Sequence, residues 1–338
     1  MDKTTGKTDK PATLKDVAKE AGVSMMAVSK VLNKKGGISK ETSERILKAA
    51  KKLKYNANSI ARSLRVSKTY TLGVVASDSA DVVLTRVLRG IQDTAAEAEY
   101  SVFISNSNQD EKLERKAVET LLRKRIDGMI LVAPLLTGAS NMQYIKEFGM
   151  PLVVLMRKAG MVGVDSVVND NIRGGFEIVD YLLNKGNEKI AFVGLKSQSG
   201  MEREQGYRDA LARHGMCLDD DKILRCGPQI EEGYQNMKTL MSRGMGFDAV
   251  CCGCDMIAVG VMKALKERGV RIPEDVRVTG YDDIELADYL SVPLTTMSQP
   301  KYEIGKEGVR MLLERIDEPD GMPKQIILQS RLVIRESA

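Results

Sequence analysis

The chain reads as an α/β protein in which a small helical head precedes two doubly wound, parallel-sheet subdomains. Three observations predict this. From Thr71 onward, short apolar runs alternate with amphipathic helical stretches. Strands apolar on both faces belong to parallel sheets covered by helices. Ahead of them, Thr13 to Asn33 carries two helical patterns around a glycine. Charge is also segregated: residues 1–68 hold seventeen Lys or Arg against six Asp or Glu, leaving 34 basic and 40 acidic residues behind them. A head of +11 on a body of −6 suits a polyanion-binding module, because neutralising phosphates releases counterions.

Residues 1–12 are polar and read as a disordered lead. They contain no hydrophobic region of the kind a signal peptide needs. Thr13 is placed to cap a first helix, with Asp16 completing a capping box. Leu14, Val17, Ala18 and Ala21 form its apolar face. Gly22 breaks that helix, since glycine enters a left-handed turn cheaply. Ser24 is placed to cap a second helix that turns Ala27, Val28, Val31 and Leu32 inward and Met25, Met26, Ser29, Lys30 and Asn33 outward. This is the layout of a helix-turn-helix, whose second helix lies in the DNA major groove. An ordinary helical hairpin in a core would show the same two-helix pattern. Ser39 opens a third helix, roughly 40–53, on which Ile46, Leu47, Ala50 and Leu53 are expected to close a three-helix core. Residues 55–68 are rich in Asn, Ser and Ala and have little to pack on, so they read as a linker that becomes helical only when held.

In the body, strands are expected at Leu72–Ala76, Val102–Ser105, Gly128–Ala133, Leu152–Leu155, Ser166–Val168, Ile190–Gly194, Ala249–Cys252 and Val276–Gly280. Helices are expected near 83–99, 111–125, 140–148, 172–185, 201–214, 232–243, 255–268 and 303–316. So many strands suit two subdomains better than one sheet, and ligands in such folds sit beyond the carboxyl ends of strands. The closing run I-I-L-Q-S-R-L-V-I-R-E reads as strand, and no heptad repeat follows it.

Composition narrows the function. The chain has no run of eighteen apolar residues, so no membrane span is expected. Its five cysteines do not form a disulfide framework. Cys251, Cys252 and Cys254 cluster at the end of an apolar run, and small buried residues at a strand end explain them better than a metal site. A reducing cytoplasm fits this usage. The single histidine, His214, shows no acid partner in sequence. There is no G-x-S-x-G elbow and no phosphate-binding loop, which argues against an enzyme. No cofactor is expected.

Five stretches in order resemble the lactose-repressor (LacI) family of bacterial transcription regulators. They are T-L-K-D-V-A-K-E-A-G-V-S, N-S-I-A-R-S-L-R, R-E-Q-G-Y-R-D-A-L, V-R-V-T-G-Y-D-D-I and P-L-T-T-M-S-Q-P, and the likeness runs from about Thr13 to Glu336. The resemblance implies a headpiece at 13–56, a hinge at 57–69 and a periplasmic-binding-protein-like core at 70–338. It also implies three crossings between the core subdomains, placed near 160–164, 290–293 and 320–324. The N-subdomain would then span about 70–161 and 292–321, and the C-subdomain about 162–291 and 322–338.

By the same resemblance, Met25, Met26 and Lys30 occupy base-reading positions. Lys30 suits guanine O6 and N7. The two methionines offer only apolar contact, for instance with thymine methyls, or else adaptable packing. Thr13, Ser24, Ser29 and Asn33 would contact the DNA backbone. Leu64 would wedge into the minor groove beside Ala61, with Arg62 and Arg65 on phosphates, an arrangement that needs two chains. A linker leucine packed on the core is the plainer alternative. Asp170, Arg203, Asp255 and Asp282 would contact a small effector, although Asp255 also begins a helix, where an acid is favoured as a cap. The family's aromatic positions in the cleft are replaced here by D-V-V-L (Asp81 to Leu84) and Pro228, and Cys254 stands where Asn is common. Few ring faces remain for a sugar to stack on, which disfavours a hexose and leaves open a smaller or differently shaped ligand, a phosphorylated metabolite or a protein co-regulator. The resemblance thus implies a homodimeric, cytoplasmic regulator of a pseudo-palindromic operator in double-stranded DNA, with a repressor's role. A small-molecule receptor without DNA-directed function is the alternative, which the basic head disfavours.

Overall fold

The computed structural model describes residues 12–32, 36–55, 68–135, 144–145, 147–158, 163–244 and 246–338. The chain forms two compact units that divide between Thr69 and Tyr70.

The first unit is a cluster of three short helices: α1 (Leu14–Ala21), α2 (Met25–Leu32) and α3 (Lys40–Lys52). Thr13 caps α1, accepting from Asp16 N (3.3 Å) while its own N–H donates to Asp16 Oδ2 (2.8 Å). Two orphan N–H groups are thereby satisfied reciprocally. Gly22 ends the helix at φ 63°, the left-handed geometry that glycine adopts without a Cβ penalty. Ser24 Oγ accepts from Ala27 N (3.2 Å) at the start of α2. Val17, Val28 and Ile46, one from each helix, are wholly buried at the centre. One expectation fails here. Leu47 is 53% exposed, and Ala49 takes the inward place beside Ile46 and Ala50. The face that meets the other helices is 46, 49, 50 and 53, and position 47 lies about 100° around the helix from it.

The second unit contains two six-stranded sheets. The first runs β11-β5-β4-β3-β1-β2, with β1 (Thr71–Ala76), β2 (Ser101–Asn106), β3 (Gly128–Val132), β4 (Leu152–Leu155), β5 (Asp165–Asn169) and β11 (Gln325–Leu328). All its pairings are parallel, with Leu72 in register with Val102 and Gly128. The helices α4 (Val82–Glu97), α5 (Glu111–Arg123) and α10 (Lys301–Asp317) belong with this sheet. The second runs β12-β10-β9-β8-β6-β7, with β6 (Ile190–Leu195), β7 (Ile223–Cys226), β8 (Ala249–Cys252), β9 (Arg277–Asp282), β10 (Thr295–Ser298) and β12 (Arg331–Val333). Only β12 is antiparallel. Its helices are α6 (Asn171–Asn184), α7 (Gln198–Arg213), α8 (Ile230–Ser242) and α9 (Asp255–Glu267). The strands β1, β3, β4, β6 and β8 are buried on both faces apart from an end residue, as covered parallel strands must be.

Both sheets thus share the strand order 2-1-3-4-5, with the reversal between β1 and β3 in one and between β6 and β8 in the other. The chain passes between them three times, each later than expected. β5 still pairs with β4 and β11, so the first crossing falls at Asp170, where α6 begins. β10 still pairs with β9, so the second falls between Ser298 and Lys301. The closing run is two strands rather than one: β11 joins the first sheet and β12 the second. The expected helix near 140–148 lies mostly outside the described residues. β7 and β10 were not expected as strands. No helix is long and apolar enough to cross a membrane among the described residues.

Arg315 fastens the base of the first sheet. Its Nε and Nη2 hold both oxygens of Asp165 (2.8 and 3.0 Å), and Nη2 also donates to Met322 O (2.9 Å). The paired side chains are 14% and 2% exposed. Breaking one partner of such a pair strands a buried charge. Arg315→Met is therefore expected to lower the unfolding free energy by about 3 kcal/mol, read as a lower urea midpoint of the core transition. A shift within error of the wild type would show that Asp165 is solvated.

Candidate functional site

Strand ends of both sheets face one cavity of about 430 Å3, within the usual range for a small-molecule site. Ser77 and Asp78 follow β1, Ala133 follows β3, and Met156 and Arg157 follow β4. Across the cavity, Lys196 follows β6, Gly227 follows β7, Cys254 follows β8 and Gln299 follows β10. Both reversals of strand order therefore open into it, which is where doubly wound sheets bind ligands.

The polar centre of the cavity is Asp282, at the end of β9 and 6% exposed. Its Oδ1 accepts from Arg203 Nη1 (3.5 Å) and from Gln299 Nε2. Burial pushes the Asp282 carboxyl up, and the nearby Arg203 and Lys301 cations pull it back. Its backbone has φ 121° and that of Asp283 φ 54°. L residues rarely adopt such angles, and strain of this kind gathers at ligand sites. Lys301 Nζ holds the turn by donating to both carbonyl oxygens.

Arg203, on α7, is 4% exposed and lines the cavity. Nε donates to Asn171 Oδ1 (3.2 Å) and Nη1 to Gly253 O (2.5 Å). The guanidinium lies 3.7 Å over the Tyr281 ring, a favourable cation–π geometry. It is thus a structural strut as well as part of the wall. Gln299, which the sequence reading did not single out, is 4% exposed, and its Oε1 has no hydrogen-bond donor among the described residues. A buried acceptor left unpaired is costly unless something fills it. Arg157 also lines the cavity without a signal in the sequence. Its Nη1 donates to Pro134 O (2.5 Å), and burial lowers its pKa while the Glu114 carboxylate acts the other way.

Two expected contacts do not reach the cavity. Asp170 caps α6, accepting from Arg173 N (3.0 Å), and is absent from the cavity wall. Asp255 is fully buried behind β9, where Oδ2 accepts from Ile284 N (2.9 Å) and Oδ1 from Thr296 Oγ1 (2.6 Å). Glycine at 280 allows this, because a Cβ there would collide with Asp255 Oδ1. Asp255 therefore clamps the strand ends that present Asp282. Asp81 caps α4 (2.7 Å from Val83 N) and lines the wall, with burial raising its pKa. Pro228 and Cys254 also line it, and no aromatic ring does among the described residues. Cys226, Cys251, Cys252 and Cys254 are buried, and burial raises each thiol pKa. No metal-holding group of side chains occurs among the described residues. His214, read as lacking an acid partner, does have one: its Nε2 lies 2.8 Å from Asp180 Oδ1. His214 caps the end of α7, Asp180 lies within α6, and neither lines the cavity.

In the headpiece, Met25, Met26 and Lys30 are exposed on α2, and Thr13 and Ser24 are exposed at the helix starts. Ser29 is half-buried on α2. Asn33, Ala61, Arg62, Leu64 and Arg65 lie outside the described residues.

Asp255 links the cavity's support to pH. Burial and the Asp282 charge both raise its pKa. A raised carboxyl contributes stability below its unfolded value and loses it as pH rises through the folded value. Asp255→Asn, a neutral mimic of the protonated acid, is therefore expected to abolish this slope. The melting temperature of the wild type minus that of the variant should fall as pH rises from about 4 to 8. A difference that stays flat would show that Asp255 is ionised throughout.

Residues 13–58 match the family described as "Bacterial regulatory proteins, lacI family", and residues 69–336 match "Periplasmic binding proteins and sugar binding domain of LacI family". The chain is 33% identical over 330 residues to the ribose operon repressor of Haemophilus influenzae, covering 96% of this chain and 98% of that one. It is 30% identical over 328 residues to the HTH-type transcriptional repressor PurR of Vibrio campbellii, covering 96% and 98%. Among solved structures it resembles the lac repressor dimer bound to operator and the anti-inducer ONPF, with 27% identity, a TM-score of 0.87 and coverage of 97% and 99%. It also resembles a LacI family regulator from Enterococcus faecium with bound ribose, with 27% identity, a TM-score of 0.70 and coverage of 79% and 98%. The helix-turn-helix head, the paired doubly wound sheets and the cleft between them agree with these matches, and the chain belongs to the LacI family of DNA-binding transcriptional regulators controlled by an effector-binding core.

Proposed function

We propose that the chain is a homodimeric, cytoplasmic repressor that leaves or grips a pseudo-palindromic operator according to a small hydroxyl-bearing metabolite held in the cleft. The unpaired Gln299 Oε1 beside Asp282 carries the ligand half of this reading. Two acceptors side by side, flanked by Arg203, call for a ligand rich in donors, and sugar-like hydroxyls supply them. The relatives named ribose operon repressor and the neighbour with bound ribose favour a pentose over a larger ring. So does the absence of an aromatic stacking face among the described cavity residues. Arg203, Asp282 and Gln299 are the proposed effector contacts, with Asp255 and Asp170 in supporting places.

On the DNA side, Met25, Met26 and Lys30 are the proposed base readers. Thr13, Ser24, Ser29 and Asn33 are the proposed backbone contacts. Ala61, Arg62, Leu64 and Arg65 form the proposed hinge. Dimerisation is supported by an open groove on the core in which Val82 (48%), Leu286 (45%) and Tyr289 (76%) are exposed among charged side chains, apolar positions that a second copy would cover. It is supported equally by the dimeric lac repressor likeness. A regulator that works on DNA suits a cytoplasmic setting. The coupling we propose is rotation of one half of the core against the other as the cleft closes.

The test begins with selection of bound sequences from a random DNA pool by the full chain. A recovered pseudo-palindrome is expected. Ribose is then titrated into the protein–operator complex, with anisotropy reading operator affinity and calorimetry reading ribose binding. Asp282→Asn, which keeps the side chain's shape, is expected to weaken ribose binding by about tenfold or more, the usual cost of losing a charged hydrogen bond, with thermal melting verifying that the core stays folded. Ribose that neither binds nor shifts operator affinity would reject the pentose, and an unselective pool would reject operator binding.

A further inference from the structure

Met25 and Met26 stand side by side in the first turn of α2, and they are 53% and 70% exposed. Neither belongs to the headpiece core. The inward face of α2 is already filled by Val28, wholly buried, with Ala27, Val31 and Leu32 packed around it. The packing explanation for the pair therefore fails within the headpiece. The Ser24 cap fixes the first turn (3.2 Å to Ala27 N), and with it the directions in which the two side chains leave the helix.

In a helix-turn-helix, the first residues of the second helix meet base edges in the major groove. Methionine has no donor and only a weak thioether acceptor. It is therefore unable to read the hydrogen-bond pattern that distinguishes most base pairs. The major-groove edge offers one apolar feature, the thymine 5-methyl group. Lys30, one turn beyond Met26 on the same side, is exposed and makes no ion pair among the described residues. It supplies the charge that holds this apolar pair against the groove.

We infer that Met25 and Met26 read thymine 5-methyl groups in each operator half-site, so that part of the specificity is hydrophobic and methyl-dependent. This rests on the operator-binding reading above. Burying one methyl corresponds to about a fourfold change in affinity. Phosphate contacts are untouched by it, so the salt dependence of binding should not move.

The experiment takes the selected operator and replaces each thymine in turn by deoxyuridine, which removes only the methyl. The full-length wild type is expected to lose about fourfold in affinity at one or two positions per half-site, with an unchanged salt slope. The M25A/M26A variant should bind more weakly and show no uracil penalty. Alanine favours helix, and circular dichroism verifies that the head is intact. The M25L/M26L variant, still apolar, should keep the penalty. An operator indifferent to uracil at every thymine overturns the inference and leaves operator binding standing. So does an alanine variant that keeps the wild-type penalty. A pool that yields no preferred sequence overturns operator binding, and this inference with it.

Discussion

A carboxylate with almost no solvent must be surrounded by donors, and Asp282 is such a carboxylate. Ionised groups taken out of water are tolerated only when paired and hydrogen-bonded. Much of the cleft answers that constraint. Arg203 approaches from α7, Gln299 from the end of β10, and Lys301 pins the turn from the start of α10. Behind β9, Asp255 ties Ile284 and Thr296 into one frame. Arg203 in turn rests on Tyr281, Gly253 and Asn171, so one charge draws in β9, the turn after β8 and the start of α6. The Gln299 oxygen, unpaired among the described residues, marks where the arrangement stops being self-sufficient.

The head was legible because its signals are local. A Thr and an Asp three apart make a capping box whatever lies elsewhere, and Gly22 ends the helix through its own backbone freedom. The long apolar strands were legible for the same reason. β7 and β10 were not: Ile-Leu-Arg-Cys and Thr-Thr-Met-Ser are short, and only their neighbours in the sheet make them strands. The crossings moved later because β5, β10 and β11 each complete a pairing before the chain leaves its sheet. Leu47 was misplaced by one helical step.

In the cleft, motif likeness singled out Asp170, Asp255 and Asp282 without distinguishing the one that lines the cavity. Asp255 and Asp282 look alike in sequence, yet one lies behind the sheet and the other at its open end. Gln299 sits inside a quoted motif and Arg157 just past an expected strand, yet nothing in either stretch marks the side chain as cavity-lining, so only the fold reveals them. The Asp180–His214 pair joins two helices and has no signature in either. The cysteines show the opposite case. Burial raises their thiol pKa values, which suits small buried residues at strand ends better than reactive groups.

The triple passage of the chain between the two sheets has a thermodynamic consequence. Two halves of a binding site joined by a single strand could tumble, and a ligand bridging them would have to order that tumbling. Here the three passages lie side by side, with Asp170 N donating to Leu328 O and Ser298 in register with Arg331, and such a triple join restricts the halves more than a single one does. Closing the halves around a ligand then costs far less entropy than bringing together two independent bodies. In the coupling proposed above, a small molecule with few atoms to offer would thereby keep enough binding energy to bias the two halves towards one orientation.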